Sequence, residues 1–349
     1  MSQPRASGYW HTRYAQDAAL VKTRTQMFWL AAFALCLGAY PFLADALWLD
    51  LANQVLLASI GAVALMLLTG YAGQISLGHA GLLAAGAFTA GILFQELAAP
   101  MWVTLPAAAA VGAALGLAFG LPSLRLRGLY LAVSTLALHF IVIHIGAEYE
   151  TKRGYSTGIV MESPIQDART WYFVLLAASA GTVLFSLNLL RSRTGRAWRA
   201  IHGRETVAEA LGIHVARAKL TAFVVSSMLA AVSGALFAYF RGFVSVEAFS
   251  LYLTIQYVAM VIIGGMGSVL GALLGTVFVV LFPYLIDAAM RALGVADRLA
   301  SLVFAINYAG FGLVMLLFLV FEPQGLVGLW RRAQNWALLW PFKQRPVQR

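Results

Sequence analysis

The chain contains 349 residues, of which 61% are apolar and only 11% are charged, and its mean hydropathy is +0.80. This composition lies outside the range of soluble globular proteins and predicts an integral membrane protein. The formal net charge of +10 would suit a nucleic-acid-binding protein. The basic residues are dispersed between apolar runs, however, so membrane topology explains them better.

Further classes of function are excluded by motifs that the sequence lacks. The single cysteine, Cys36, lies in an apolar run, so we expect neither a disulfide framework nor a cysteine-based metal site. The phosphate-binding pattern G-x-x-x-x-G-K-[ST] does not occur, so we expect no ATPase site in this chain. The six histidines lack the H-E-x-x-H spacing, and no metal site is predicted.

The first part of the chain predicts three membrane spans. Residues 1–26 are polar and basic and are predicted to form a cytoplasmic segment, followed by a first span at Met27–Leu43. Residues 51–95 carry no charge, and a single helix of that length would measure about 68 Å, about twice the thickness of a bilayer core. This stretch must therefore fold back, and we predict the turn at Gly70 and Gly73.

The middle of the chain predicts three further spans, at residues 101–121, 129–146 and 171–190. A polar, acidic loop is predicted between the last two, at residues 147–170. Since each apolar run is long enough to cross a bilayer as a helix, these segments indicate continued crossing of the membrane.

Residues 191–219 are the longest charged segment between two apolar blocks, and we interpret them as a cytoplasmic loop. A first short helix is predicted before a break at residues 202–203. Thr206 and Glu209 match a capping box that would open a second helix. Gly212 would end that helix, because glycine adopts a positive φ without strain. Helices this short are unstable alone, so we expect a groove in another protein to hold them.

The last part of the chain predicts four spans. Residues 220–240 cross once, and residues 248–286 are a second charge-free stretch, about 58 Å long as one helix, that must also turn. Its first limb is short, so whether residues 251–263 cross completely stays open. The last span is predicted at residues 302–321, and residues 330–349 form a basic tail. The glycines predicted to break helices in the two charge-free stretches are Gly70, Gly73, Gly264, Gly265 and Gly267.

These segments predict an all-α integral membrane protein with about ten transmembrane helices, in which residues 27–329 form one polytopic domain. With the N-terminus in the cytoplasm, 18 of the 24 basic residues lie on the cytoplasmic side and 10 of the 14 acidic residues lie outside. This separation follows the positive-inside rule and places both termini in the cytoplasm.

Polar side chains near the start of the third span are candidates for a substrate path. Gln74, Ser76 and His79 are costly to desolvate unless they find partners or water. In one interpretation His79 is a neutral imidazole bonded to a neighbouring helix. In the other, the segment is a broken helix that lines a central cavity. Ser134 and Thr135 are weaker candidates for the path, because such hydroxyls often bond their own backbone.

No catalytic constellation stands out, so no enzymatic activity is predicted. Glu205 and Glu209 share one helical face, but they lie among arginines and are interpreted as surface charges rather than as an acid/base pair. Asn307, in the last span, is interpreted as a packing contact.

Five stretches then carry a resemblance to a known family. They are GYAGQISLGHA with the following GAFTA, RGLYLAVST, the charged loop, AMVIIGGMGSVLGALLG, and FEPQGLVG near the end. In this order they resemble the branched-chain amino acid ABC transporter permease family, M-type (LivM-like) subunit, over about residues 50–330.

The resemblance implies a type II importer-like transmembrane domain in the bacterial inner membrane. It implies a permease subunit of an ATP-binding cassette importer for branched-chain amino acids or related small carboxylates and amides. A urea or aromatic-acid importer is the alternative. The implied partners are a second, H-type permease in a heterodimer, two ATPase subunits that bind the ATP, and an extracytoplasmic binding protein, with no cofactor and no nucleic acid on this chain. The loop residues expected to couple to the ATPase are Arg196, Trp198, Ile201, Glu205, Glu209, Leu211 and Gly212.

The rival from another class is a secondary transporter or channel that works without ATPase subunits. Such proteins usually place ionisable carboxylates inside the membrane, and none falls within the predicted spans. The exact substrate and the identity of the partner permease stay open.

Overall fold

A computed structural model describes residues 24–124, 126, 128–155, 158–292 and 302–339 of the chain. Most of the predicted N-terminal segment, residues 1–23, lies outside the described residues, as does the end of the predicted basic tail, residues 340–349.

The first half of the chain forms long helices that follow one another through short connections. They are α1 (Arg24–Leu43), α2 (Ala46–Leu65), α3 (His79–Leu97), α4 (Met101–Ser123), α5 (Leu129–Arg153) and α6 (Ala168–Arg191). Helix α2 passes without a break into a π-helical turn at Met66–Tyr71.

The second half begins with two short helices, α7 (Arg193–Gly203) and α8 (Glu205–Ala210). Long helices then return, namely α9 (Val215–Arg241), α10 (Leu251–Gly264), α11 (Val269–Ala292), α12 (Val303–Phe321) and α13 (Gly325–Leu339). A 3-10 turn at Val246–Phe249 precedes α10.

A two-stranded antiparallel ribbon marks one end of the bundle. Strand β1 (Ile159–Val160) pairs with β2 (Phe243–Val244), with Ile159 opposite Val244. Because the long helix α9 runs from α8 to β2, the ribbon and the short helices lie at opposite ends. We call these the ribbon end (β1 and β2) and the loop end (residues 192–214).

Helix α9 lies at the centre of the bundle and packs against α2, α3 and α4. Its buried face carries small residues, which let helix backbones approach closely in a membrane. At Gly234 an added β-carbon would lie 1.8 Å from the carbonyl oxygen of Leu83, so only glycine fits this crossing. The Ser226 hydroxyl adds an interhelical hydrogen bond, donating to the carbonyl of Ala64 at 2.7 Å.

The connection into α6 shows how a helix begins at the ribbon end. The carboxylate of Asp167 accepts hydrogen bonds from the backbone N–H groups of Arg169 and Thr170, which caps the helix. The hydrogen bond from the Arg169 N–H, which favours the charged form, lowers the pKa of the Asp167 carboxyl.

The prediction of about ten spans is confirmed. Within the described residues, eight helices are long and apolar enough to cross a membrane. The bent pair α12–α13, with an angle of 52°, can supply a ninth, and the apolar segment Met27–Leu43 of α1 is a shorter candidate. Each of the ten predicted segments thus corresponds to a helix.

Several predicted boundaries were wrong, because helices continue past the apolar runs. Helix α5 runs to Arg153 rather than to residue 146, and its charged end is supported by an ion pair between Lys152 and Glu148. Helix α11 runs to Ala292 rather than to residue 286, which places Asp287 inside a helix.

Candidate functional site

Residues 73–78 form an irregular, non-helical segment that re-enters the helix bundle from the loop end, and we call them the re-entrant segment. Gly73 starts it with a φ of 70°, a conformation that glycine adopts without strain. Gln74 and Ser76 are buried, whereas Gly73 and Ile75 are exposed. This alternation is typical of extended backbone with one face on a core.

Hydroxyl groups from two helices satisfy backbone donors where the re-entrant segment meets α3. The N–H of Leu77 donates to Oγ1 of Thr135 on α5 at 2.9 Å, and the N–H of Ala80 donates to Oγ1 of Thr254 on α10 at 3.1 Å. Irregular backbone in a membrane needs such partners inside the protein.

His79 is the first residue of α3 and lies deep in the bundle. Its Nε2 lies 2.9 Å from the carbonyl oxygen of Gly61, and its ring is 5.0 Å from the ring of Tyr257, edge to face. Gly61 precedes the end of the π-helical turn by ten residues, or about 15 Å of helix. Helix α3 therefore begins well inside the bundle, as expected of a broken helix. The contact with Gly61 on α2 also agrees with the other interpretation, in which His79 is an imidazole bonded to a neighbouring helix.

Two of the residues predicted to couple to an ATPase face the interior of this chain instead. Trp198 on α7 is completely buried, and its Nε1–H donates to the carbonyl of Ala218 at 2.9 Å. Ile201, three residues on, is 3% exposed. The prediction that these two side chains lie on a partner-facing surface was wrong, because the amphipathic face of α7 packs against the start of α9.

The capping box predicted at Thr206 and Glu209 was also wrong. The N-cap position of α8 is Arg204, in an extended conformation and two residues before Thr206, and the helix has no side-chain cap. The predicted stop at Gly212 is confirmed, with a φ of 82°. The N–H groups of Gly212 and of the residue after it donate to the carbonyls of Glu209 and Ala208, which is a Schellman ending.

The loop end is tied directly to the re-entrant segment. Nζ of Lys219, a residue that is 9% exposed, forms an ion pair with Oε1 of Glu205 on α8. The backbone carbonyl of Lys219 in turn accepts a hydrogen bond from the Gln74 amide at 3.0 Å. A β-carbon added at Gly73 would lie 2.9 Å from Nδ1 of His202 on α7. A movement of α7 and α8 would therefore displace the contacts of Gly73 and Gln74 and so move the re-entrant segment.

The outer face of α8, together with its C-cap residue Leu211, is exposed and carries two large apolar side chains. Val207 and Leu211 are 51% and 76% exposed, and Glu209 lies exposed on the same short helix. Arg196, on α7, is also exposed and donates to the carbonyl of Arg191 at 2.8 Å. Of the predicted coupling residues, Arg196, Glu209, Leu211 and Gly212 are the ones exposed at the surface.

The predicted helix-breaking glycines act in two ways. Gly73, Gly265 and Gly267 have positive φ angles, so they are true turning points. Gly70 lies within the π-helical turn, and Gly264 is the last residue of α10, where a β-carbon would lie 1.9 Å from a carbonyl oxygen of α11. These two serve close packing.

A cavity of about 580 Å³ lies between α2, α3, α9, α10, α11 and α12, toward the ribbon end. This volume falls within the range of about 300–1,000 Å³ typical of small-molecule sites. Its walls are mainly apolar and aromatic, and apart from Tyr257 and Tyr284 its polar lining residues are Gln54, Ser233, Arg241, Gln256, Asp287 and Asn307. Within the described part of the chain, no three histidine, cysteine or carboxylate side chains lie together as metal ligands would.

Comparison with known proteins identifies the family. A family model described as the permease component of branched-chain amino acid transport systems matches residues 47–320. The chain belongs to this permease family.

Individual relatives agree with that assignment. The LivM permease of the high-affinity branched-chain amino acid transport system of Escherichia coli is 31% identical, over 91% of this chain and 78% of the relative. The LivM protein of Salmonella typhimurium is 30% identical over the same shares. LivH of Escherichia coli is 28% identical over 50% of this chain and 51% of its own length. No solved structure matches the chain.

The family match includes the re-entrant segment, the short helices of the loop end and the cavity, all of which lie within residues 47–320. Helices α1 and α13 lie outside it. The part of this permease that the family model covers therefore contains both the loop end and the cavity, together with the re-entrant segment.

None of the five residues predicted to line a substrate path in this permease lines the cavity. Gln74, Ser76, His79 and Thr135 are buried elsewhere in the bundle, and Ser134 is partly buried on α5. Tyr257, which contacts His79, does line the cavity. Their role in the path stays a prediction.

Sequence reasoning missed most of the polar residues that line the cavity of the permease. Asn307 was considered only as a packing contact, and Asp287 and Arg241 only as charges outside the spans. For Arg241 and Asp287, a position directly after an apolar run was the available signal. Nothing in a linear pattern indicates that the ends of α9 and α11 meet the same cavity.

Proposed function

We propose that this chain is a permease subunit of an ATP-binding cassette importer that moves branched-chain amino acids across the bacterial inner membrane. The names of its relatives support the substrate class. The observation that carries the mechanism is the continuous contact from the exposed face of α8, through Glu205 and Lys219, to Gln74 on the re-entrant segment.

In this mechanism the outer face of α8 docks in a groove of an ATPase subunit. Exposed apolar side chains flanked by charges suit a short helix that binds in a groove. When the ATPases close on ATP, α7 and α8 move together with the start of α9, since Trp198 ties α7 to it and Glu205 ties α8 to it. The movement reaches the re-entrant segment, which begins beside His202, and changes the packing at the start of α3.

The complete transporter in this proposal contains a second permease of the H type, two ATPase subunits and an extracytoplasmic binding protein. The loop end then faces the cytoplasm and the ribbon end faces the binding protein. This orientation follows from the excess of basic residues in the loops of the loop end. This chain contributes no covalent chemistry, and ATP binds to the partner subunits.

The test is transport by the reconstituted complex. The chain is co-expressed with an H-type permease, two ATPase subunits and a binding protein, and the complex is placed in proteoliposomes with ATP on the side of the ATPase subunits. We expect accumulation of radiolabelled leucine only when ATP and the binding protein are both present. A complex whose ATPase cannot hydrolyse ATP is the control.

Two results would contradict the proposal in different ways. Accumulation driven by an ion gradient without the ATPase subunits would show a secondary transporter. Accumulation of urea or of an aromatic carboxylate, with leucine excluded, would place the chain in an importer for another substrate.

A further inference from the structure

The cavity toward the ribbon end combines separated polar groups with an apolar wall. Arg241 lies at the last position of α9, Asp287 lies near the end of α11, and Asn307 lies on α12. All three line the same cavity, although they come from three different helices. Arg241 is an exposed residue, whereas Asp287 and Asn307 are half-buried. The combination of a cation with acceptor groups around one mainly apolar cavity is the feature to be explained.

The guanidinium of Arg241 is held by aromatic rings rather than by a carboxylate. It lies 6.0 Å from the ring centroid of Phe237 and 5.7 Å from that of Phe240. Among the described residues, no carboxylate forms an ion pair with it. A guanidinium packed in this way keeps its fork of N–H donors available for a planar anion such as a carboxylate.

The acceptor side of the cavity has unmet hydrogen-bonding capacity. Oδ1 of Asp287 and Oδ1 of Asn307 are both buried, and neither has a hydrogen-bond partner among the described residues. Burying such acceptors without a donor is costly, and more so for a carboxylate. Both residues line the cavity, but these two oxygens have no accessible surface of their own. A donor that enters the cavity, such as an ammonium group, would reach them after rotation of the Asp287 or Asn307 side chain and would then remove this cost.

Apolar side chains form the rest of the enclosure. Phe249 and Leu253 line it from the turn before α10 and from α10 itself, and Val279 lines it from α11. An aliphatic chain in contact with these residues would be removed from water, which favours binding in proportion to the apolar area buried.

We infer that this cavity is a transient binding site for a zwitterionic aliphatic amino acid during transport. Its carboxylate binds the Arg241 guanidinium, its ammonium group binds Asp287 and Asn307, and its side chain lies against Phe249 and Leu253. The inference rests on the proposed function, which supplies the class of substrate. It adds the site within this chain and the groups that recognise each part of the molecule.

The experiment uses photo-leucine, a leucine analogue with a photoreactive diazirine in its side chain, on the reconstituted complex without the binding protein. After illumination, mass spectrometry locates the modified peptides. We expect labelling of residues 246–260 that excess leucine suppresses. 4-Methylpentanoic acid and isoamylamine, which are leucine without its ammonium group and without its carboxylate, should compete at least about tenfold less well, because each loses a hydrogen bond to a charged group.

Three variants separate binding from folding. Arg241→Gln and Asp287→Asn should each reduce the leucine-sensitive labelling at least about tenfold, whereas Arg241→Lys should keep part of it because the positive charge remains. Lys152→Gln, at an exposed position near the ribbon end and outside the cavity, is the matched control and should label like the parent protein. If the complex with Arg241→Gln fails to assemble, the isosteric Asp287→Asn variant still tests whether the cavity binds leucine.

The outcomes distinguish failure of the site from failure of the function. A complex that transports leucine with ATP, but shows no competed labelling in residues 246–260 or unchanged labelling in the Asp287→Asn variant, overturns the inference and leaves the proposed function intact. Labelling that leucine does not suppress would assign the cavity to lipid or water and also overturns it. A complex that does not transport leucine at all contradicts the proposed function itself.

Discussion

The ion pair between Glu205 and Lys219 is the single contact on which the link between the loop end and the re-entrant segment most depends. The side chain of Lys219 is 10% exposed and that of Glu205 is 33% exposed, so the pair is largely shielded from water. Removing the carboxylate alone would leave a buried ammonium group without this partner, which is more costly than removing both charges.

We therefore expect Glu205→Gln to loosen α8 by about 1–3 kcal/mol, less than the loss for a fully buried pair because Glu205 is partly exposed. The double variant Glu205→Gln with Lys219→Met should recover much of that loss. Hydrogen–deuterium exchange of residues 205–213 measures the effect directly.

The matched control is Glu148→Gln, which removes the exposed ion pair to Lys152 on α5. It should leave the exchange of residues 205–213 unchanged, because an exposed pair contributes little and lies at the other end of the bundle. Equal exchange in Glu205→Gln and in the parent protein would show that the pair does not hold α8.

At the scale of elements, the two short helices of the loop end have different roles: α7 anchors the loop to this chain, and α8 is left to contact a partner. Helix α7 is the anchor, because Trp198 and Ile201 are buried in this chain. Helix α8 is the contact surface, because Val207 and Leu211 are exposed. Only the second helix has apolar area left for a partner.

This division predicts the outcome of changing the face of α8. Glu209→Lys combined with Leu211→Asp should leave insertion and the packing of Trp198 intact, since both side chains are exposed. It should reduce substrate-stimulated ATP hydrolysis by about tenfold or more, or release the ATPase subunits, since central interface side chains typically contribute 1.4 kcal/mol or more, about a factor of ten.

Ala216→Asp provides the control for added charge at the loop end, because this exposed residue lies on α9 and not on α8. Its complex should hydrolyse ATP like the parent protein. Wild-type stimulation of hydrolysis in the double variant of α8 would rule out α8 as the coupling element.

At the scale of the whole molecule, the arrangement of the helices fixes which loops share a side of the membrane. His202 lies at the loop end and Glu162 lies near β1 at the ribbon end, and both are exposed. The long helix α9 separates the two ends, so a membrane that surrounds the bundle must place these two residues on opposite faces.

Single cysteines test this arrangement once the exposed native thiol is removed by Cys36→Ser. In intact cells, a membrane-impermeant maleimide should label Glu162→Cys but should reach His202→Cys only after the membrane is opened. Labelling of both from outside would contradict the proposed topology.

The sequence by itself determined the all-α membrane fold, the approximate number of spans and the apolar segments that form them. An apolar run of about 20 residues is long enough to cross a bilayer as a helix. Longer charge-free stretches such as residues 51–95 must turn, because a bilayer core is only about 30 Å thick. Gly73, Gly212, Gly265 and Gly267 were also recognised as turning points, since a positive φ is a local property of glycine. These features depend only on residues that are close in sequence and on the thickness of the bilayer, so a linear sequence is enough to predict them.

The tertiary structure alone decided which surfaces are used within the chain and which are left for a partner. Trp198 and Leu211 look alike in an amphipathic pattern, yet one is completely buried and the other is 76% exposed. The amphipathic pattern indicates that one face of a helix must be buried against apolar side chains. It does not indicate whether those side chains belong to this chain or to a partner. The ion pair of Glu205 with Lys219 and the cavity shared by Arg241, Asp287 and Asn307 likewise join residues far apart in sequence. Such contacts arise from how helices cross, because packing in lipid depends on the shapes that meet at each crossing rather than on local polarity.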